Sequence, residues 1–221
     1  MHIPDGFITP ITAAVMFGIS IPLLAFSWKK VRADYPKSFA PLLAISSAFI
    51  FAAQMINFPI ILGTSGHLVG GTFLAILLGP WAGMLSMTIV LLMQAVFFAD
   101  GGLIAFGANV FNMAIVGALS YFFVKLINRK STSTRRFASS VFLASWLSVV
   151  LGSLAAALQI GVSPVFAEAG GIMVTIPAML FWHVLIGLGE GAITTSLLLS
   201  LQRLQPALAA NFALLRGKVK Q

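Results

Sequence analysis

Apolar residues run almost unbroken through seven stretches of the chain, about 8–28, 39–60, 67–79, 82–98, 103–124, 137–161 and 172–202. Apolar runs of about twenty residues are the mark of helices that cross a bilayer. The interruptions Gly63-Thr64-Ser65-Gly66, Gly79-Pro80-Trp81 and Asp100-Gly101-Gly102 are built from residues that break helices. One run is short. From His67 to Gly79 a helix would extend only about 20 Å against about 30 Å of hydrocarbon. The preceding residues, 63–71, are therefore expected to dip inward and line a central pocket, because irregular backbone at membrane depth is tolerated only where protein or water surrounds it. The pattern predicts an all-α integral membrane protein, a bundle of about seven transmembrane helices forming one domain over 1–221. Beyond the last span, Leu204, Leu208, Phe212 and Leu215 stand at near-helical spacing with basic residues after them. This predicts a segment on the cytoplasmic membrane surface or against a partner.

Composition agrees with this reading. Of 221 residues, 59% are hydrophobic and 8% charged, against roughly 25% charged in a soluble domain. The net charge of +8 suggests nucleic acid until the basic residues are located. All 13 fall in three short stretches: Lys29 to Lys37, Lys125 to Arg136, and Arg203 to Lys220. These are topology marks, and the positive-inside rule makes all three cytoplasmic. An even number of spans must then separate the first two stretches, which places the N-terminus outside and the C-terminus inside. No nucleic-acid partner is implied. The absence of cysteine removes thiolate metal sites and disulfides. The first residues lack a basic n-region and a cleavage site, so the terminus is expected to persist, with Met1 retained before the bulky His2.

The opening Met1-His2-Ile3-Pro4-Asp5-Gly6 carries the most direct chemistry. A free terminus with histidine second offers one ion the Met1 amine, the His2 amide and a His2 imidazole nitrogen. The first two close a five-membered chelate ring and the last two a six-membered one, all near one plane, and one position stays open. A planar nitrogen field suits Ni²⁺ or Cu²⁺ better than Zn²⁺, Mg²⁺ or Ca²⁺. The topology puts this terminus, the His67 loop and the Asp100 loop on the same extracytoplasmic side, so a fourth nitrogen can reach the first three. Pro4-Asp5-Gly6 has turn chemistry that would fold the terminus back into the pocket.

Four segments then resemble one family in order and at the expected separations: Met1 to Phe7, Gly66-His67-Leu68-Val69-Gly70-Gly71-Thr72, Gln94 to Gly102, and Gly107-Ala108-Asn109-Val110-Phe111-Asn112-Met113. They are similar to the CbiM/NikM family, the cobalt/nickel substrate-binding components of energy-coupling-factor (ECF) transporters. The similarity covers nearly the whole chain. It implies a metal held by the Met1 amine, the His2 amide and imidazole, and His67, with Ni²⁺ or Co²⁺ as the bound substrate. It also implies a place in a prokaryotic cell membrane and three kinds of partner: a transmembrane coupling protein, cytoplasmic ATPase subunits and a small auxiliary membrane protein. The chain has no Gly-x-x-x-x-Gly-Lys motif with which to use ATP itself. Planar geometry favours nickel, and the Ile3-Pro4-Asp5-Gly6 form of the opening resembles the nickel branch of the family.

Candidates for the surrounding shell are Asp5, Ser65, Gln94, Asp100, Asn109 and Asn112, since metal-bound imidazoles usually donate their other N–H to an oxygen. Turn or cap chemistry for Asp5 and Asp100, and helix-to-helix bonds for the three amides, stand as alternatives. His183 and Glu190 lie within the last span, where ionisable groups usually face the interior. A rival reading takes Ser65 in Gly63-Thr64-Ser65-Gly66 as the nucleophile of a rhomboid-like intramembrane serine protease with His183 as its base. It leaves Met1-His2 and His67 unexplained. No His-Glu-x-x-His metalloprotease motif occurs.

Overall fold

The computed structural model describes residues 1–60, 64–129 and 133–207. Helix α1 spans Pro10–Asp34, with Thr9 capping its start through a bond from the Thr12 N–H. A 3₁₀ turn, Lys37–Phe39, leads into α2, Ala40–Gln54. Strands β1, Phe58–Ile60, and β2, Thr64–Gly66, form an antiparallel hairpin. Then come α3, Gly71–Leu78, α4, Pro80–Phe98, and α5, Phe106–Asn128. Helix α6, Thr134–Gly161, the short α7, Pro164–Ala167, and α8, Ile172–Leu204, complete the bundle.

Among the described residues six helices are long and apolar enough to cross a membrane: α1, α2 with its leading turn, α4, α5, α6 and α8. The remaining predicted stretch, 67–79, holds only the eight-residue α3, about 12 Å of helix. Every residue of α3 is buried, so it forms the centre of the bundle, with α4 and α5 packed around it. Close approach is possible because small residues meet there: a Cβ on Gly117 of α5 would stand 2.8 Å from the Gly71 Cα.

Two boundaries differ from the sequence expectation. The run at 39–60 stops being helix at Gln54, and its last residues enter the hairpin. Pro59 has no N–H to donate and pushes Phe58 toward extended backbone, which hydropathy does not register. Helix α5 contains a π-helical stretch, Val110–Ile115, beside the Asn109 and Asn112 side chains. Gly63, Lys130 and the proposed surface segment from Leu208 onward lie outside the described residues.

Polarity is distributed as lipid requires. Large apolar side chains such as Ile11, Phe26, Trp28, Leu126 and Met173 are exposed on the outer faces, while Gln54, Gln94, Asn109, Asn112, His183 and Glu190 are buried within. This is a multi-pass membrane protein. The ends of α1 and α5 that carry Lys29, Lys30 and Lys125 lie together, for Asp34, Tyr35, Leu78 and Lys125 line one cleft. The predicted site lies where the N-terminal segment meets the 65–70 loop and the 99–105 loop.

Candidate metal site

The N-terminal segment is threaded into the bundle rather than splayed on its surface. Asn109 grips Ile3 on both sides, accepting its N–H at 2.8 Å and donating to its carbonyl at 3.1 Å. The Gly102 N–H donates to the same carbonyl at 2.8 Å. Asp5 accepts the N–H groups of Leu103, Ile104 and Ala105 at 2.8 to 3.1 Å. Gly102 has to be glycine, since any Cβ there would overlap the Asp5 carboxylate. The expected turn is present: the Phe7 N–H reaches the Pro4 carbonyl, and Gly6 takes a φ of +88°. Met1 is 1% exposed, its sulfur and terminal methyl 3.3 Å from where a Gly152 Cβ would stand on α6.

This anchoring brings the three predicted ligand residues together. The Met1 amine donates to the Ser65 carbonyl and lies 3.2 Å from His67 Nε2. The His2 and His67 rings stand 4.6 Å apart between centroids and are tilted by 30°. Hydrogen bonding selects the tautomers. His67 Nδ1 donates to the Leu68 carbonyl at 2.7 Å, which leaves the Nε2 lone pair facing the amine. His2 Nε2 donates to Gln94 Oε1 at 3.0 Å, which leaves Nδ1 without a proton and within 3.5 Å of the Ser65 hydroxyl. Nδ1 is the atom that closes a six-membered ring with the His2 amide.

Burial keeps all three groups uncharged. It drives the Met1 amine down from 8.0 to about 5, against the pull of Asp100. It lowers His2 from 6.5 to about 3, helped by the neighbouring amine and opposed by the Gln94 bond. His67 is likewise held well below its ordinary value, first by burial and then by the amine and His2. A lone pair is what a metal needs and a proton would occupy it. Asp100 is the nearby acid: Oδ1 lies 3.4 Å from His2 Nδ1, and Oδ2 accepts from Asn57 at 3.1 Å. Burial raises its carboxyl above the usual range, with the amine and Asn57 opposing.

The remaining candidates are placed as follows. Gln94 and Asp100 touch His2, and the Ser65 hydroxyl lies 3.5 Å from His2 Nδ1. Asp5 ties the terminus to the 103–105 backbone, the capping alternative. Asn109 holds Ile3, while Asn112 exchanges two bonds with Gln159 of α6, the helix-to-helix alternative. The protease pair receives no support: His183 Nδ1 bonds to the Met179 carbonyl of its own helix, and the Ser65 hydroxyl faces His2. Among the described residues no three His, Cys, Asp or Glu side chains converge as a metal cage. Asn57, Gln54 and Gly152 were not singled out from sequence, and nothing local to them signals a role.

Residues 2–208 match the family model described as the cobalt uptake substrate-specific transmembrane region, CbiM. The chain belongs to the CbiM family. Its relatives include a putative fused nickel transport protein NikMN from Archaeoglobus fulgidus, 44% identical over 195 residues, covering 88% of this chain and 63% of the relative. The fused nickel transport protein NikMN of Rhodobacter capsulatus is 39% identical over 222 residues, with 95% of this chain and 64% of that one covered. The chain thus spans slightly less than two thirds of the length of these fused relatives. A crystal structure described as a transition metal transporter superposes with a TM-score of 0.85 at 36% identity, covering 98% of this chain and all of the other. The relatives of this CbiM-family chain are named as transport proteins, not enzymes.

Proposed function

We propose that this chain is the substrate-binding membrane component of an ECF-type importer, capturing Ni²⁺ or Co²⁺, with nickel preferred, in a four-nitrogen site for uptake driven by partner subunits. The observation that carries this reading is the buried Met1 amine, 3.2 Å from the lone-pair nitrogen of His67. Two neighbouring ligands of a planar ion with bonds of about 2.0 Å stand about 2.8 Å apart, so an ion needs only a small contraction here. In this arrangement the Met1 amine, the His2 amide and His2 Nδ1 fill three corners. His67 Nε2 fills the fourth, opposite the amide. Gln94 orients the His2 ring and the Leu68 carbonyl orients that of His67, the outer support that ligand imidazoles usually have.

Charge favours a divalent ion as cargo. The His2 amide loses its proton on binding, so the complex keeps one positive charge, and Asp100 lies beside His2 to balance it. Planar nitrogen ligation disfavours Mg²⁺, Ca²⁺ and Zn²⁺, and cellular scarcity must exclude Cu²⁺, which the divalent affinity order favours. The site performs no chemistry on the ion, so release requires a shape change imposed from outside. Transmembrane coupling protein, cytoplasmic ATPases and a small auxiliary membrane protein are the partners this reading calls for, and the fused relatives are longer than this chain.

The test is a titration of purified protein with Ni²⁺ and then Co²⁺, following binding heat and the visible spectrum, beside His67→Ala and an N-terminally acetylated sample. One equivalent of yellow, diamagnetic Ni²⁺, lost in both altered samples, is the expected result. Binding indifferent to both changes would sink the proposed ligand set.

A further inference from the structure

Glu190 sits in the middle of α8 and is 1% exposed. Its two carboxylate oxygens accept the backbone N–H groups of Val69 and Gly70, each at 2.8 Å. Those residues stand two and three positions after His67 and lead into α3. On the other side, Gln54 of α2 donates to the Val69 carbonyl at 2.5 Å. The Gly70 carbonyl accepts from Leu74 inside α3, and Gly70 itself takes a φ of +76°. The short loop below His67 is therefore clamped from two helices, by the Gln54 amide and the Glu190 carboxyl group.

The neighbouring positions of α8 show how directed this contact is. Trp182, Ile186 and Glu190 are spaced by four and so share a face. Trp182 meets Phe58 of the hairpin, with ring centroids 6.4 Å apart, and Ile186 Cδ1 lies 3.0 Å from where a Gly66 Cβ would stand. The adjacent face of the helix, about 100° around, packs through Gly187 and Gly191 against Trp146 and Phe142 of α6. One face of α8 thus binds the scaffold and the other holds the hairpin and loop on either side of His67.

We infer that Glu190 is a positioning residue for metal capture: through the Val69 and Gly70 amides it sets the height of His67 Nε2 and so makes α8 the element on which the fourth nitrogen depends. This rests on the four-nitrogen reading above. A carboxylate buried in an apolar span keeps its two donors because no water is there to replace them. A displacement of α8 therefore carries the loop with it. Release of the ion by withdrawing one ligand then needs no change in the three nitrogens of the terminus.

The experiment compares the wild-type chain with Glu190→Gln, Glu190→Asp, His67→Ala and Gly189→Ala in detergent, by Ni²⁺ titration with visible spectra and by amide exchange of metal-free protein over the peptide containing Val69 and Gly70. Gly189 has open space around its Cβ position and serves as the neighbouring control. In Glu190→Gln one backbone N–H faces an amide NH₂ instead of an acceptor. Exchange at the loop should rise by about tenfold or more, and Ni²⁺ affinity should fall about 10- to 100-fold, the range for outer-shell partners of a metal. The spectrum should shift toward that of His67→Ala. Glu190→Asp, which keeps both acceptors, should recover part of each loss, and Gly189→Ala should match wild type. Wild-type spectrum and affinity in Glu190→Gln would overturn the proposal, and so would weaker binding with an unshifted spectrum. If His67→Ala leaves binding untouched, the four-nitrogen reading fails first; raised exchange in Glu190→Gln then marks a loop anchor with no part in metal capture.

Discussion

Individual residues prepare this pocket by choosing where protons sit. The Leu68 carbonyl and Gln94 Oε1 each hold a ring N–H, which leaves one lone pair on each imidazole. The terminal amine, with its value lowered to about 5, contributes a third. At neutral pH the amine has no proton to lose, so only the His2 amide proton opposes binding. Ni²⁺ affinity is therefore expected to rise by about one log unit per pH unit between about pH 6 and 7.5, and more steeply below about 5. A competition titration across pH checks this, and a slope near two at pH 7 would mean that the amine keeps its ordinary value. Stability of the metal-free protein has a related sign. The unfolded amine binds a proton below about 8 and the folded one only below about 5, so stability falls as pH drops through that window and is restored as pH rises. Gln94→Leu removes the acceptor for His2 Nε2 and should weaken Ni²⁺ binding by about 10- to 100-fold with the bundle intact; parallel thermal unfolding would show whether the loss is local.

At the scale of elements, the site depends on segments that hydropathy describes poorly. Strand Phe58–Ile60 was hidden at the end of an apolar run and strand Thr64–Gly66 in the interruption after it, because three-residue strands have no periodicity long enough to detect. That the stretch ending at Gly79 is too short to cross the bilayer alone was legible, and α3 is indeed an eight-residue helix buried along its whole length. The terminal turn was legible as well, in Pro4-Asp5-Gly6. Its seat on α6 was not, since Gly152 is one small residue among several in an apolar helix. Gly152→Leu would fill the space taken by the Met1 side chain. Because that side chain's Cβ would also stand 2.5 Å from the Asn112 carbonyl of α5, the expected outcome is a lower thermal midpoint from a loosened α5–α6 contact, together with a displaced terminus, loss of Ni²⁺ binding and protease access to residues 1–7. Unchanged titration in this variant would show that Met1 finds its place without that seat.

For the whole molecule, the three basic stretches predict which end of the bundle faces the cytoplasm. The chain lacks cysteine, so single introduced thiols report topology without background. Leu103→Cys, beside the proposed metal site, should react with an impermeant maleimide added to intact cells, and Lys30→Cys only after the membrane is opened. The opposite pattern would put the pocket on the cytoplasmic side and exclude capture from outside.

Membrane class and the approximate spans are written locally, in runs of hydropathy, and for those the sequence was sufficient; the expected sidedness and the proposed chelating terminus are likewise local readings, of clusters of charge and of the first two residues. Tertiary structure alone decided that the Met1 amine meets His67, 66 residues away, that Gln94 rather than Asn112 supports His2, and that Glu190 reaches the loop from 120 residues further on. The physical reason is that hydropathy follows from each side chain's own transfer into lipid. Contacts across the bundle depend instead on where Gly71, Gly117 and Gly152 let backbones and side chains approach.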